Sequence, residues 1–300
     1  MTGVKILLIF NPNAANGRAK NMLPKILVRF NKLGVDIEIL ETQAQGHGRE
    51  LVRQADFNRF DGVVAAGGDG TLFEVINGYY ENISEKKIPV GVLPTGTGNA
   101  FSRDLNLKST DWERAMDIIH SNKIKKIDVG HFKSEGREYY FLNILGLGFV
   151  SDVSDTAKGL KIFGNTAYLL GVFYQLLFLK THQLIIELDG QKLERENVFV
   201  EISNTRYTGT TFLMAPDAKT DDGLLDITLL NKINRRGILK IFPTIFDGTH
   251  VNQEHVEIFK AKKIKIETNL PKVLTPDGEV LGSTPIEVEC LKQDVPFFWF

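Results

Sequence analysis

The residues best suited to chemistry lie in the stretch VVAAGGDGTLFEVING, from Val63 to Gly78. An apolar run halts at Gly67, Gly68, Asp69 and Gly70, and helix-forming residues begin at Thr71. Glycines between a strand and a helix expose backbone N–H groups at the positive end of the helix dipole, a setting that favours phosphate. A bare carboxylate would repel a polyphosphate. Asp69 therefore makes sense with a Mg²⁺ between the two, or as a residue that orients a hydroxyl. The plainer alternative is that Asp69 caps the helix. A second turn, PTGTGN from Pro94 to Asn99, adds side-chain donors on Thr95, Thr97 and Asn99. A third loop, NPNAANGRAK, is polar and runs from Asn11 to Lys20, with Arg18 and Lys20 as cations. Neither glycine turn is a Walker A loop, since no Gly-Lys-Ser/Thr follows, and neither is a GxGxxG dinucleotide turn.

Two acidic motifs stand in the second half. PDAKTDDGLLD, from Pro216 to Asp226, has the oxygen density of a hard-cation loop, although a capped turn without metal has the same composition. Asp277-Gly278-Glu279 places a carboxylate one residue beyond a tight turn, where a glutamate is ordinarily solvated surface.

The elements that must position these residues follow from periodicity. The first 120 residues alternate strand and helix: VKILLIF, then a helix with Met22, Leu23, Ile26, Leu27, Phe30 and Leu33 on one face, then DIEILE, GRELVRQA, GVVAA, TLFEVINGYY and IPVGVLP. That order predicts right-handed crossovers and a doubly wound parallel sheet covered on both faces. Ligands bind outside the carboxyl ends of such strands, and all three loops leave those ends, so they should share one crevice. From Lys123 onward the segments are short and rich in β-branched and aromatic residues, with hairpin dipeptides at Asp189-Gly190 and Asp277-Gly278. This half reads as an antiparallel sandwich, interrupted by helices at about 167–180 and 236–246. Two domains are expected, 1–122 and 123–300, with the site between them.

Composition closes off other classes. Among 300 residues, 36 basic and 37 acidic side chains give a net charge of −1, which suggests neither a nucleic-acid surface nor a strongly basic membrane patch. A single cysteine, Cys290, excludes an internal disulfide and fits a reducing compartment. The N-terminal apolar stretch lacks a basic leader region and reads as a first strand. The longest apolar run, 167–179, contains Gln175 and is too short to cross a bilayer. It reads as a buried helix, with a lipid-pocket wall or a contact with a membrane surface as the alternatives.

Together, GGDGT (Gly67–Thr71), Asn77-Gly78, PTGTGNAF (Pro94–Phe101), FNPNAANGRAK, IDVG (Ile127–Gly130), APDAKTDDGLLDI and DGE resemble the diacylglycerol kinase catalytic family, which includes sphingosine and ceramide kinases and soluble bacterial relatives. The resemblance covers nearly the whole chain in order. GGDGT alone also occurs in NAD kinases and phosphofructokinases. The C-terminal motifs favour the lipid-kinase branch. The resemblance implies an NAD kinase- and phosphofructokinase-like first domain, and transfer of the γ-phosphoryl of ATP, with Mg²⁺, to a hydroxyl of diacylglycerol or a similar lipid alcohol. Carried onto this chain, it implies nucleotide contacts from Asn11, Pro12, Asn13, Ala14, Ala15, Thr42, Gly67, Gly68, Asp69, Gly70, Thr71, Thr95, Gly96, Thr97 and Asn99. Asp69 and Asp128 would form an acidic network and Glu279 would be the general base. A second, structural Mg²⁺ would take Asp222 and the carbonyls of Lys219 and Leu224. The expected partner is a lipid met at a membrane surface by a cytoplasmic, peripherally attached protein, with a homodimer allowed. A kinase of a soluble acceptor, or a regulator without turnover, are the alternatives. Two departures bear on them. Ala14 and Ala15 replace the usual Ser/Thr-Gly pair, and Ala100 stands where diacylglycerol kinases carry Asp.

Overall fold

The computed structural model describes residues 4–108, 110–147, 181–209 and 211–300. The helix expected at about 167–180, and with it the apolar run at 167–179, lies outside them. The chain forms two compact units. The first comprises Met1–Val129, Tyr140–Leu142 and Lys292–Phe300, and the second Gly130–Tyr139 and Asn143–Leu291.

In the first unit, β1 (Lys5–Phe10), β2 (Asp36–Glu41), β3 (Gly62–Gly67) and β4 (Val90–Pro94) form a parallel sheet in the order β2-β1-β3-β4. Strands β1 and β3 are continuous apolar runs and are buried almost throughout, as expected for a sheet covered on both faces. The helices are α1 (Leu23–Leu33), α2 (His47–Gln54), α3 (Asp69–Glu81), the short α4 (Ala100–Asp104) and α5 (Trp112–Ser121). Helix α1 packs with α5, and α2 with α3. Pro24 opens α1, and Gly34, in the left-handed conformation at φ 68°, ends it. Its buried stripe is Ile26 and Phe30. Leu27, expected on the same face, is exposed, because this helix buries a narrower stripe than its apolar spacing suggested.

Two distant segments complete this unit. Asn77 on α3 behaves like a strand edge toward Tyr140: its Nδ2 donates to the Tyr140 carbonyl (2.9 Å) and its Oδ1 accepts the Tyr140 N–H (3.0 Å). Gly78 is required because a Cβ there would sit 2.4 Å from the Arg49 carbonyl of α2. The tail returns through Phe297, which pairs with Val90 of β4, and through Phe298, whose ring lies where a Cβ on Gly62 would fall. Tyr80 stacks on Tyr140 at 3.7 Å and donates its hydroxyl to Asp294 (2.6 Å).

The second unit is antiparallel. Its strands are β5 (Ile124–Ser134, begun in the first unit), β6 (Arg137–Phe141), β7 (Ile144–Leu147), β8 (His182–Leu188), β9 (Gln191–Ser203), β10 (Tyr207–Thr208), β11 (Phe212–Leu213) and β12 (Leu225–Asn231). Helix α6 (Arg235–Ile241) is followed by β13 (Val256–Ala261), β14 (Lys263–Thr268), β15 (Leu274–Pro276) and β16 (Ile286–Phe298). Asp189 and Gly190 both take positive φ, 49° and 89°, and join β8 to β9 as a tight hairpin. Strand β9 gives the sandwich its continuity. Residues 191–197 pair with β8, whereas residues 200–203 pair with β7 on one side and β12 on the other. Val198, Leu230, Ile241 and Val256 form a core cluster that seats α6 on the strands. Strand β13 escaped the sequence reading, because VEIFKA alternates weakly and abuts the stronger KKIKIET pattern.

Candidate active site

The three loops expected to share a crevice do meet. The Gly67 carbonyl accepts from Thr95 N (3.1 Å) and Gly96 N (2.9 Å), and Asp69 N donates to the Gly98 carbonyl (3.3 Å). Asn11 N donates to the Ala66 carbonyl (2.9 Å), and its side chain donates to Thr71 Oγ1 (3.1 Å). The glycines are dictated by proximity. A Cβ on Gly68 would lie 2.9 Å from the Gly98 carbonyl oxygen, and one on Gly96 2.5 Å from the Gly68 Cα. Any side chain there would drive the two turns apart.

Asp69 does not stand at a loop tip. Helix α3 begins with it, after Gly68. Nor does it cap its own helix: its Oδ2 accepts the N–H of Ala100 (3.0 Å) and its Oδ1 that of Phe101 (3.4 Å), at the start of α4. The carboxylate thus ties the first glycine turn to the second. Ala100, at the family's Asp position, is buried beneath this contact.

Around this core, Thr42 is buried just beyond β2, its N–H on the Phe10 carbonyl (2.8 Å). Pro12 and Ala14 are buried and Asn13 is exposed, its N–H bonded to Asn11 Oδ1 (3.0 Å). Ala15, Asn16 and Gly17 take positive φ in succession (51°, 57° and 81°). Where the family places glycine, Ala15 bears a Cβ in the left-handed region, which costs roughly 1–2 kcal/mol. Arg18 donates to the Ala15 carbonyl (3.1 Å) and so braces this turn. Gly70 is half-buried and Thr97 exposed. Thr95 and Asn99 are 3% and 8% exposed, yet Thr95 Oγ1 and Asn99 Oδ1 have no hydrogen-bond partner among the described residues. Ser102 Oγ on α4, which the sequence did not single out, is likewise buried and unpartnered. Buried polar atoms are rarely left unpaired, and a nucleotide offers complements to both hydroxyl donors and an amide acceptor.

Asp128 is fully buried, and its Oδ1 accepts the N–H of Gln293 (2.7 Å), a residue at φ 49°. It anchors the returning tail of the first unit.

In the second unit, Asp277 and Gly278 (φ 47° and 87°) form the expected tight turn. Asp277 is buried, and its Oδ1 accepts the N–H groups of Asn143 (2.9 Å) and Ile144 (3.0 Å). Glu279 follows, half-buried, with its N–H on the Pro276 carbonyl (2.8 Å). The turn is therefore clamped, and Glu279 is carried on fixed backbone.

The acidic loop holds a protein cation. Lys260 on β13, the cross-strand partner of Asp226, places Nζ 3.1 Å from Asp226 Oδ2 and 3.7 Å from Asp222 Oδ2, and donates to the Asp217 carbonyl (3.0 Å). Asp222 Oδ1 accepts the Leu224 N–H (3.0 Å). Among the described residues, no group of three or more His, Cys, Asp or Glu side chains is placed to hold a metal. A site made of one carboxylate and the Lys219 and Leu224 carbonyls falls outside that criterion, and its metal would share Asp222 with Lys260. A further buried carboxyl, Glu201 on β9, accepts from Thr208 and Ser203 hydroxyls, and burial raises its pKa to about 7.

Residues 5–132 match the diacylglycerol kinase catalytic domain family, and residues 144–298 match the YegS C-terminal NAD kinase beta sandwich-like domain. Diacylglycerol kinase from Bacillus subtilis (strain 168) is 30% identical over 282 residues, covering 93% of this chain and 91% of that protein. Diacylglycerol kinase from Staphylococcus carnosus is 32% identical over 293 residues, covering 97% and 94%. A solved Bacillus anthracis structure superposes with a TM-score of 0.83 at 30% identity over 100% of this chain and 96% of that one. A diacylglycerol kinase structure from the same organism gives 0.75 at 27%, over 100% and 98%. With both halves matched in order by one family's domains and its full-length relatives, the chain belongs to the diacylglycerol kinase family and is a kinase.

Proposed function

We propose that the protein transfers the γ-phosphoryl of ATP, with Mg²⁺, to the hydroxyl of a lipid alcohol, diacylglycerol or a close analogue. The observation that carries this reading is the meeting of the three strand-end loops, with Asp69 tying the glycine turns together and Thr95 Oγ1 and Asn99 Oδ1 buried without partners among the described residues. In this reading the backbone of Gly67–Thr71 and of Thr95–Asn99 receives the phosphates, Asn11–Ala15 and Thr42 border the nucleotide, and Asp69 fixes the two turns against each other. Mg²⁺, when bound, supplies positive charge to the phosphates. Glu279, on its clamped turn, takes the acceptor hydroxyl's proton. Asp128 acts by holding the tail in place. The choice of lipid follows the names of the relatives. The second domain's NAD kinase-like description supports one rival, a soluble acceptor.

The test is incubation of the purified protein with γ-labelled ATP and a mixed lipid extract. Label in the organic phase, abolished by chelation, is the expected result. Label confined to the aqueous phase would transfer the assignment to a soluble acceptor, and no Mg²⁺-dependent label would leave a regulator.

A further inference from the structure

Helix α6 and the 3-10 turn that continues it, Phe242–Ile245, carry an exposed stripe of unusual composition. Residues 232–246, KINRRGILKIFPTIF, include Lys232, Arg235, Arg236 and Lys240 and no acidic residue, in a chain whose net charge is −1. Ile238 and Ile241 are buried inward. On the opposite side Arg236, Leu239, Lys240, Pro243 and Phe246 are exposed, with Leu239 at 41% and Phe246 at 39%. Phe246 is held there by ring contacts with Phe212 (5.1 Å) and Phe242 (5.8 Å), so it is a fixed protrusion.

Helix stability does not account for this pattern. Arg235 and Arg236 occupy the first turn of α6, where the helix dipole disfavours cations, and that turn contains no acidic residue. Asn234 already caps the helix by accepting the Gly237 N–H (2.9 Å). Of the flanking charges, Glu196 pairs with Lys232 (2.7 Å), and Asp247 turns back to accept from Thr249 N (3.0 Å) and Oγ1 (2.7 Å). Neither is spent on Arg236 or Lys240. Exposed apolar side chains set between cations match the interface of an anionic bilayer, where the rings and aliphatic tips enter the headgroup boundary and the cations meet lipid phosphates.

We infer that α6 and the turn after it form a docking surface for an anionic lipid membrane. The inference rests on the reading that the acceptor is a lipid, and it assigns to the second unit a surface that would bring the enzyme to its substrate.

The experiment is co-sedimentation of the full chain, without ATP, on vesicles of phosphatidylcholine alone and of phosphatidylcholine with phosphatidylglycerol. The parent should bind the anionic vesicles and release them at high salt. Each basic residue contributes roughly fivefold in partition at such a surface, so Arg236→Gln/Lys240→Gln should bind about twenty-five-fold less. Leu239→Ser should weaken binding without altering its salt dependence. All variants should keep the parental melting temperature and phosphorylate detergent-dispersed lipid at the parental rate. Equal binding by parent and double variant overturns the surface, as does equal binding to neutral and anionic vesicles. A change of oligomeric state in the variants also overturns it, because the stripe would then join copies of the chain. Binding without any lipid phosphorylation would leave the surface standing and sink the lipid-kinase reading instead.

Discussion

Glu279 and Asp69 differ in what they touch, and their substitutions should differ accordingly. Glu279→Gln keeps the size and much of the hydrogen bonding but cannot accept a proton. With the turn fixed by Asp277, the fold should be unaffected, and kcat should fall on the order of 10²–10⁴-fold with ATP affinity unchanged. Retention of more than about a tenth of parental kcat would remove Glu279 from the base role. Asp69 has two duties. Its bonds to Ala100 and Phe101 are the kind that, at a helix start, contribute about 0.5–2 kcal/mol, so Asp69→Ala should both lose turnover and lower the melting temperature. Asp69→Asn keeps an acceptor oxygen and should recover much of the stability but none of the turnover. If Asn restores turnover as well, Asp69 only positions the turns.

At the level of elements, two local rules are broken. The Asn11–Lys20 loop places Ala15 at φ 51°, where glycine carries no Cβ penalty. Ala15→Gly should stabilise the protein by about 0.5–1 kcal/mol, the relief of strain outweighing the added freedom of the unfolded chain. Unchanged or lowered stability would show that the loop has relaxed around the methyl. Strand β9 buries Glu201 with its pKa raised from 4.5 to about 7, by burial foremost and against the pull of the Thr208 and Ser203 hydroxyls. The sign follows from linkage. Below pH 4.5 both folded and unfolded chains hold the proton. Between 4.5 and 7 only the folded chain does, and stability falls as pH rises. Above 7 the loss is complete, at about 3 kcal/mol. Glu201→Gln should flatten this part of the profile and be the more stable protein at pH 8. Parallel melting curves for the two proteins from pH 5 to 8 would refute it.

At the scale of the molecule, the first unit is assembled from three separated pieces of chain, and its integrity should depend on the last of them. Phe297 and Phe298 are fully buried, in a piece of chain that begins at Lys292, far beyond Val129 where that unit's main segment ends. Phe298→Ala should cost about 3–5 kcal/mol, because a buried ring is lost beside Gly62 and Gly91, which have no side chains to fill the space. A melting temperature within a degree or two of the parent would show that the tail is dispensable.

Much of the chemistry is legible in one dimension because backbone geometry is local. GGDGT and PTGTGN advertise close backbone approach, Asp189-Gly190 and Asp277-Gly278 specify positive-φ turns, and the alternating strand and helix periods of the first 120 residues dictate a parallel sheet whose loops emerge at one edge. What each polar side chain does there is not local. Asp69 accepts from residues 31 and 32 positions on, Asn77 bonds to Tyr140 across 63 and Asp128 to Gln293 across 165, while the Lys260 that shares the acidic loop comes from a neighbouring strand. Periodicity shows which residues face inward but carries no information about which distant backbone groups will be waiting for them. By itself, then, the sequence determined the alternating elements of the first half, the phosphate-type turns and the family. Only the tertiary structure decided that Asp69 joins two turns, that Asn77 and Asp128 draw remote segments into the first unit, and that burial raises the pKa of Glu201, since hydrogen-bond partners and burial exist only once the chain has closed on itself.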